Sequence, residues 1–217
     1  AQPPLFRVRR KKETYYVQTE EEMKAQLLEA GLADAVFEPG DGRVIQGPAM
    51  ANLCHTLAAL EESLLALERR GISLRAHAAR QDPVAGRLPV YHVFFSQDEY
   101  WFTTRPDLDR FLASQEQAVG QELRVSDESD GNGGDGNGPQ VSRVHIVELH
   151  EVRSINNQLG VLRAVGFDLN SLIPQERTGV EEPRYLLRRG DWVTGLEDLR
   201  GLLAGVRSAG EKGLQVT

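Results

Sequence analysis

The feature that most constrains this chain is that it repeats itself. The segment FRVRRKKETYYVQTEEEMKAQL (Phe6–Leu27) lies without a gap over YHVFFSQDEYWFTTRPDLDRFL (Tyr91–Leu112). Phe6 falls on Tyr91, Val8 on Val93, Tyr15 on Tyr100, Tyr16 on Trp101 and Val17 on Phe102. Thr19 falls on Thr104, Met23 on Leu108 and Leu27 on Leu112. A repeat of this length marks one supersecondary unit, whose apolar face must be covered by another element. Each copy reads as strand, polar turn, strand and helix. Its strands are rich in β-branched and aromatic residues, and its turns are Lys11-Lys12-Glu13 and Ser96-Gln97-Asp98. Thr19 with Glu22, and Thr104 with Asp107, stand at N-cap and N3 spacing. A shorter third version, Arg184–Leu203, has a Gly190-Asp191 turn and is expected to cap its helix with Thr194 and Glu197. Convergent hairpin–helix patterning is the alternative to duplication, since the matches are of type more than of identity.

Two longer helices complete the inventory. Pro48–Arg70 carries Met50, Leu53, Leu57, Leu60, Leu64 and Leu67 at steps of three and four before Gly71. That stripe fits either a dimerisation seam or a buried core helix; its short length and the adjacent Cys54 favour the core. Glu151–Val165 places Val152, Ile155, Leu159 and Leu162 on one face and stops at Gly166. Val141–Leu149 and Ala35–Ile45 read as strands, the latter a hairpin turned at Pro39-Gly40-Asp41-Gly42. The fold class expected is therefore α+β: antiparallel β-hairpins each followed by a helix, plus two longer core helices.

At 217 residues and 40% hydrophobic content the chain can bury a real core. No apolar run approaches the roughly 18 residues of a membrane helix, no secretory signature opens the chain, and the single Cys54 makes no internal disulfide. A cytoplasmic location follows as the expectation. The net charge of −7 argues against a surface that binds nucleic acid throughout. Four of those negative charges sit in one tract, Ser126–Pro139, which has five glycines and no apolar residue. Nothing in it offsets the entropy of ordering, so a flexible linker (126–139) is expected. Asp127, Asp130 and Asp135 are hard oxygen ligands, but their spacing departs from that of a calcium-binding EF-hand loop.

Catalytic patterns are wanting. There is no phosphate-cradling glycine loop, no Gly-x-Ser-x-Gly elbow and no His-Glu-x-x-His helix. Cys54 and His55 are adjacent on a helix and point about 100° apart, too far to act as nucleophile and base. His145, Glu148 and His150 crowd together, but strand alternation puts His145 on the face opposite Glu148 and His150, so two ligands at most converge. No catalytic, cofactor or metal residue is assigned. The basic residues have better standing: Arg7, Arg9, Arg10, Lys11 and Lys12 on the first hairpin, and Arg184, Arg188 and Arg189 on the third. Alternation sends Phe6 and Val8 inward and Arg7 and Arg9 outward. Such hairpins suit a DNA phosphate track, where each neutralised phosphate adds salt-dependent affinity. The competing reading is a solvated hairpin paired locally with Glu13 and Glu20–Glu22.

Gln2-Pro3-Pro4-Leu5 with the basic strand behind it, and Lys212-Gly213-Leu214-Gln215-Val216, resemble the segments that leave and re-enter the Toprim core of bacterial DNA gyrase B subunits, members of the type IIA topoisomerases. The resemblance implies that residues 1–28 and 184–217 are continuous with that core, and that 29–183 is an insertion found in some gyrases. It places Thr194–Val206 in the closing helix. It implies an ATP-dependent, DNA-supercoiling parent that uses ATP and Mg2+, with the rest of the gyrase B chain, the gyrase A chain and DNA as partners. The family's Toprim glutamate and Asp-x-Asp pair match no position here, so the covered residues are expected to be non-catalytic. Their role would be to brace the parent enzyme and contact DNA, coupling ATP use to strand passage. The alternative is a free-standing protein-interaction module that binds through the Met50–Leu67 stripe or the aromatic hairpin Tyr91–Phe102.

Overall fold

The computed structural model describes residues 6–126, 143–179, 181–212 and 215–216. The expected entry segment Gln2–Leu5, all of the acidic tract beyond Ser126, and Gly213-Leu214 lie outside them. The chain divides into two compact units, one formed by Ala1–Glu62 with Gly160–Thr217 and the other by Ser63–Leu159.

All three hairpin–helix repeats form. The first is β1 (Phe6–Arg10), β2 (Glu13–Val17) and α1 (Glu20–Leu32). After β3 (Ala35–Glu38) and β4 (Ile45–Gln46) come the long α2 (Gly47–Arg69) and the short α3 (Leu74–Ala78). The second repeat is β5 (Tyr91–Phe95), β6 (Asp98–Phe102) and α4 (Arg105–Val119). It leads into β7 (Arg124–Ser126), β8 (Arg143–Glu148) and α5 (His150–Ala164). The third is β9 (Tyr185–Arg189), β10 (Trp192–Leu196) and α6 (Leu199–Glu211), followed by β11 (Gln215–Val216). Each hairpin has two strands of 5 residues, and each opens its turn with a positive φ: Lys11 at 55°, Ser96 at 59° and Gly190 at 57°. That geometry belongs to the primed turns, which match the twist of paired strands.

The helix starts follow the same spacing. Thr19 and Thr104 accept from the backbone N–H of Glu22 and Asp107, as expected. In the third repeat Asp198 does this work, accepting from Gly201. Thr194 lies inside β10, so the expected Thr194–Glu197 cap and a helix starting at Thr194 are corrected by one helical turn. A threonine–glutamate pair at capping spacing was a weaker signal than the pairing of β10 with β9, which runs through Leu196↔Tyr185. With that register, Leu202 takes the place of Met23 and Leu108, and all three are buried.

The first unit joins the first and third repeats reciprocally. β3, which follows α1, pairs antiparallel with β9, Phe37 opposite Leu187; β11, which follows α6, pairs antiparallel with β1, Val216 opposite Val8. These two pairs occupy equivalent places in the repeat. α1 and α6 pack with the same reciprocity: a Cβ on Gly31 would lie 1.8 Å from the Val206 carbonyl oxygen, and one on Gly210 would lie 2.0 Å from that of Leu27. Gly31 and Gly210, like Leu27 and Val206, are repeat equivalents, so the contacts are those of a two-fold axis within one chain. Arg189 donates to the carbonyls of Ala30 (3.1 Å) and Ala209, another equivalent pair, and so satisfies the ends of both helices with one guanidinium.

In the second unit the sheet order is β6-β5-β8-β7, with β7 and β8 parallel and the other pairs antiparallel. α4 is held to its own sheet by Phe111, whose ring meets Tyr100 at 4.5 Å and Phe102 at 5.0 Å. The α2 stripe Met50, Leu53, Leu57, Leu60, Leu64 and Leu67 is buried throughout, as are Val152, Ile155, Leu159 and Leu162 of α5, so both are core helices. Both end in a Schellman pattern at Gly71 and Gly166. The α+β class is as expected.

Candidate functional site

The β1–β2 hairpin places its charges by alternation. Val8 and Val17 are fully buried against Met23 of α1, and Phe6 and Tyr15 lie beside them. Arg7 and Arg9 face out with Tyr16, which is 57% exposed and sits directly across from Arg7. Arg10, Lys11 and Lys12 continue the positive edge around the turn, all exposed. None of the five cations has an ion-pair partner among the described residues. Two of the acidic side chains expected to neutralise them are used elsewhere: Glu20 pairs with Lys24 at 3.1 Å, and Glu22 accepts from the backbone N–H of Gln18.

The third hairpin treats its arginines differently. Arg184 Nη1 donates to the carbonyls of Asn170 (3.0 Å) and Ile173 (3.2 Å), and its guanidinium lies 4.9 Å over the Tyr185 ring. Arg188 Nε meets Glu38 Oε1 at 2.6 Å, and Arg189 spans the ends of α1 and α6. All three are part-buried. Their guanidiniums are committed to internal partners, whereas those of the first hairpin are open to solvent. No local pattern tells the two groups apart, because the partners lie far away in the chain.

His145, Glu148 and His150 do not gather into a metal centre. Glu148 meets His150 Nδ1 at 3.4 Å and is also paired with Arg153, while the ring near His145 is that of Phe94, at 5.7 Å. Among the described residues no three His, Cys, Asp or Glu side chains are placed to hold a metal ion. Cys54 is buried, and burial pushes its thiol up to about 12, far from a reactive thiolate.

The sheet of the second unit carries a row of rings that sequence reading took only as an aromatic hairpin. Arg80 lies 4.5 Å over Trp101, His92 stacks on Trp101 at 3.7 Å with 11° between planes, and Phe94 stands 4.0 Å from His92. His77 meets the Trp101 ring edge-on at 5.3 Å, bonds the Pro89 carbonyl through Nε2 (2.9 Å) and leaves Nδ1 buried without a hydrogen-bond partner. Burial holds both His77 and His92 below the usual histidine value; the Pro89 carbonyl and Glu99 respectively pull the other way. His77 lies on the five-residue α3 and Arg80 just beyond its end, a stretch too short to show a helical period in the sequence.

No family model matches the chain. It is similar to the DNA gyrase B protein of Chlamydia pneumoniae, 25% identical over 183 residues, which is 81% of this chain and 19% of that protein. It is also similar to the DNA gyrase B protein of Chlamydia muridarum, 36% identical over 74 residues, which is 33% of this chain and 9% of that protein. The chain thus spans under a fifth of the curated relatives it matches. The similarity is distant and supports a region related to the B chain of DNA gyrase. Among the described residues no helix is long and apolar enough to cross a membrane.

Proposed function

We propose that this chain is an accessory region of a gyrase-B-type component of a type II topoisomerase, acting as a brace and as a DNA-contact surface through the β1–β2 hairpin. The observation that carries the contact is the five-cation edge of that hairpin, exposed and without ion-pair partners among the described residues. On a duplex such an edge neutralises about five phosphates, which gives log affinity a slope of about −4 to −5 against log salt. Pairing of β1 with β11 brings the first and last described strands together, the arrangement a segment inserted into a larger domain requires. Similarity across 183 residues supports the same parent.

In this reading supercoiling, ATP use and Mg2+ chemistry belong to the parent enzyme and its partners, the gyrase A chain and DNA, in the cytoplasm. The brace role rests on the reciprocal α1–α6 packing, which ties strands from both ends of the chain into one unit. The α2 stripe of the alternative interaction module is buried and presents no docking seam.

The test is a low-salt mobility shift of a short duplex with the whole chain, wild type against Arg7→Glu, Arg9→Glu and Arg10→Glu combined. The wild type is expected to shift the duplex and the triple variant to fail. An unchanged shift removes the hairpin from the contact.

A further inference from the structure

We propose that the outer face of the β1–β2 hairpin holds duplex DNA through two guanidinium–hydroxyl pairs, Arg7 with Tyr16 and Arg9 with Thr14, each pair closing on one backbone phosphate. Resting on the hairpin contact proposed above, this adds two neutral donors, Tyr16 and Thr14, to its cations. Register sets the pairs: Arg7 is directly opposite Tyr16, and Arg9 directly opposite Thr14. Alternation from the buried Val8 and Val17 turns all four to the outer side, where all four are exposed. Cβ atoms of such cross-strand pairs stand about 5 Å apart, so a guanidinium and a hydroxyl reach one phosphate together. A step of two residues sets the pairs about 7 Å apart along the hairpin, and they therefore meet different phosphates. Glu13, the hairpin's one carboxylate, is opposite Arg10 and by alternation on the other side. The outer face thus offers four donors and no carboxylate, which suits a row of anions.

The same places in the other two repeats are covered from within the molecule. Trp101 stands at the place of Tyr16, with Arg80 4.5 Å over its ring and His92, the equivalent of Arg7, stacked on it at 3.7 Å. Gly195 is the third equivalent, and a Cβ on it would lie 2.6 Å from that of Pro183. At the place of Thr14, Glu99 meets His92 at 2.9 Å; at that of Arg9, Arg188 meets Glu38 at 2.6 Å. In the first repeat Tyr16 is 57% exposed. Among the described residues, the side chains of these two pairs have no ion-pair or ring partner in the molecule.

Phosphate contacts from arginine, threonine and tyrosine fix register and orientation on a duplex. A cation at a phosphate releases a counterion and steepens the salt dependence, whereas a hydroxyl donor adds affinity without charge. The two kinds of contact therefore leave different signatures.

The probe is a fluorescein-labelled duplex of about 20 base pairs, two helical turns, titrated with the whole chain between about 0.05 and 0.2 M salt. Tyr16→Phe keeps the ring and removes the donor. It should weaken binding about tenfold, the low end for a hydrogen bond to a charged group, with the slope of log affinity against log salt unchanged. Thr14→Val, similar in shape without the hydroxyl, should do likewise. Arg7→Gln should weaken binding and reduce that slope by about 1. Tyr15→Phe, on the inner side of the same strand, should bind as the wild type does. Wild-type affinity in either Tyr16→Phe or Thr14→Val, or a slope that falls with either, overturns the paired arrangement. If the Arg7, Arg9 and Arg10 triple variant still fails to bind in that case, the hairpin contact stands without it. A chain that binds no duplex removes both. Polyglutamate of equal charge, bound as tightly and weakened as much by Tyr16→Phe, gives the face to an acidic protein segment and overturns the duplex assignment.

Discussion

The first and third repeats and the middle one start from the same local plan and end in different situations. α1 and α6 are each other's cover: Gly31 and Gly210 let the backbones touch, and Leu27 and Val206 lie beneath them. In α4 the equivalent of those glycines is Glu116, whose carboxylate instead accepts the Leu123 N–H at 3.2 Å. That helix has Leu108 as its one buried residue and is anchored to its own sheet by Phe111. At the place of Phe111 the other repeats carry Gln26 and Gly205. The difference is that a hairpin and cap fix the local unit, while a few small or large side chains on the helix decide whether it pairs. The outer faces diverge likewise: exposed cations on the first hairpin, committed arginines on the third, rings on the middle one.

The sharpest way to break this comparison is to add a methyl group at the crossing. Gly31→Ala or Gly210→Ala puts Cβ within 2.0 Å of a backbone carbonyl, which no rotamer change relieves. Each should cost on the order of 3 kcal/mol, the high end for overpacking, read as a fall in the denaturant midpoint. Gly160→Ala on α5, where an added Cβ meets nothing within 4 Å, is the control and should be neutral or mildly stabilising. If the two crossing variants melt like the control, the helices do not approach as described and the reciprocal packing is wrong.

Much of this plan was legible beforehand, and the reasons are local. The strands, turns and two of the three caps follow from alternation and from Thr19 and Thr104, whose partners lie three residues away. The stripes of α2 and α5 follow from period alone. What could not be read depends on distant chain. The exchange of β3 and β11 has no short-range signal, and Gly31 and Gly210 look like ordinary helix-weakening glycines until the partner helix is seen. Arg189 and Arg10 occupy the same place in the repeat and read alike, yet one is a cap for two helices and the other is exposed. The candidate cations therefore form a single set in the sequence, and only tertiary structure divides them into exposed and engaged groups.

That division gives the next test. Arg189→Met keeps the aliphatic stem and removes both donors, leaving the Ala30 and Ala209 carbonyls at two helix ends without their partner. The expected cost is about 2 kcal/mol, typical for hydrogen bonds from a charged group. Arg10→Met, at the equivalent place, should cost under about 0.5 kcal/mol while weakening duplex binding. Urea denaturation of both variants measures the contrast. Equal costs would mean that Arg189 is not the tie between the helices, and that the two hairpins differ less than the geometry says.

The smallest effect separates the units by pH. His77 is buried, with Nε2 on the Pro89 carbonyl and Nδ1 facing no partner, so a second proton would be an uncompensated buried charge. Arg80 and His92 add to that cost and Glu151 opposes it, while burial remains the first cause of the lowered value. A histidine whose folded value is depressed leaves stability intact above its unfolded value near 6.5; stability is then lost as pH falls from there towards the folded value. His92, lowered for the same first reason, acts in the same direction and window. The unit of the paired repeats has His55 as its one histidine, an exposed side chain on α2 that meets Glu29 at 3.0 Å. Acidification from about pH 7.5 to about pH 5, a span that brackets the ordinary histidine value, should therefore speed amide exchange in β5 and α5 before it does so in α1 and α6. His77→Gln, which keeps a donor for Pro89 but cannot be protonated, should flatten most of that response. Equal acid sensitivity in both units, or a response untouched by His77→Gln, would place the titrating group elsewhere.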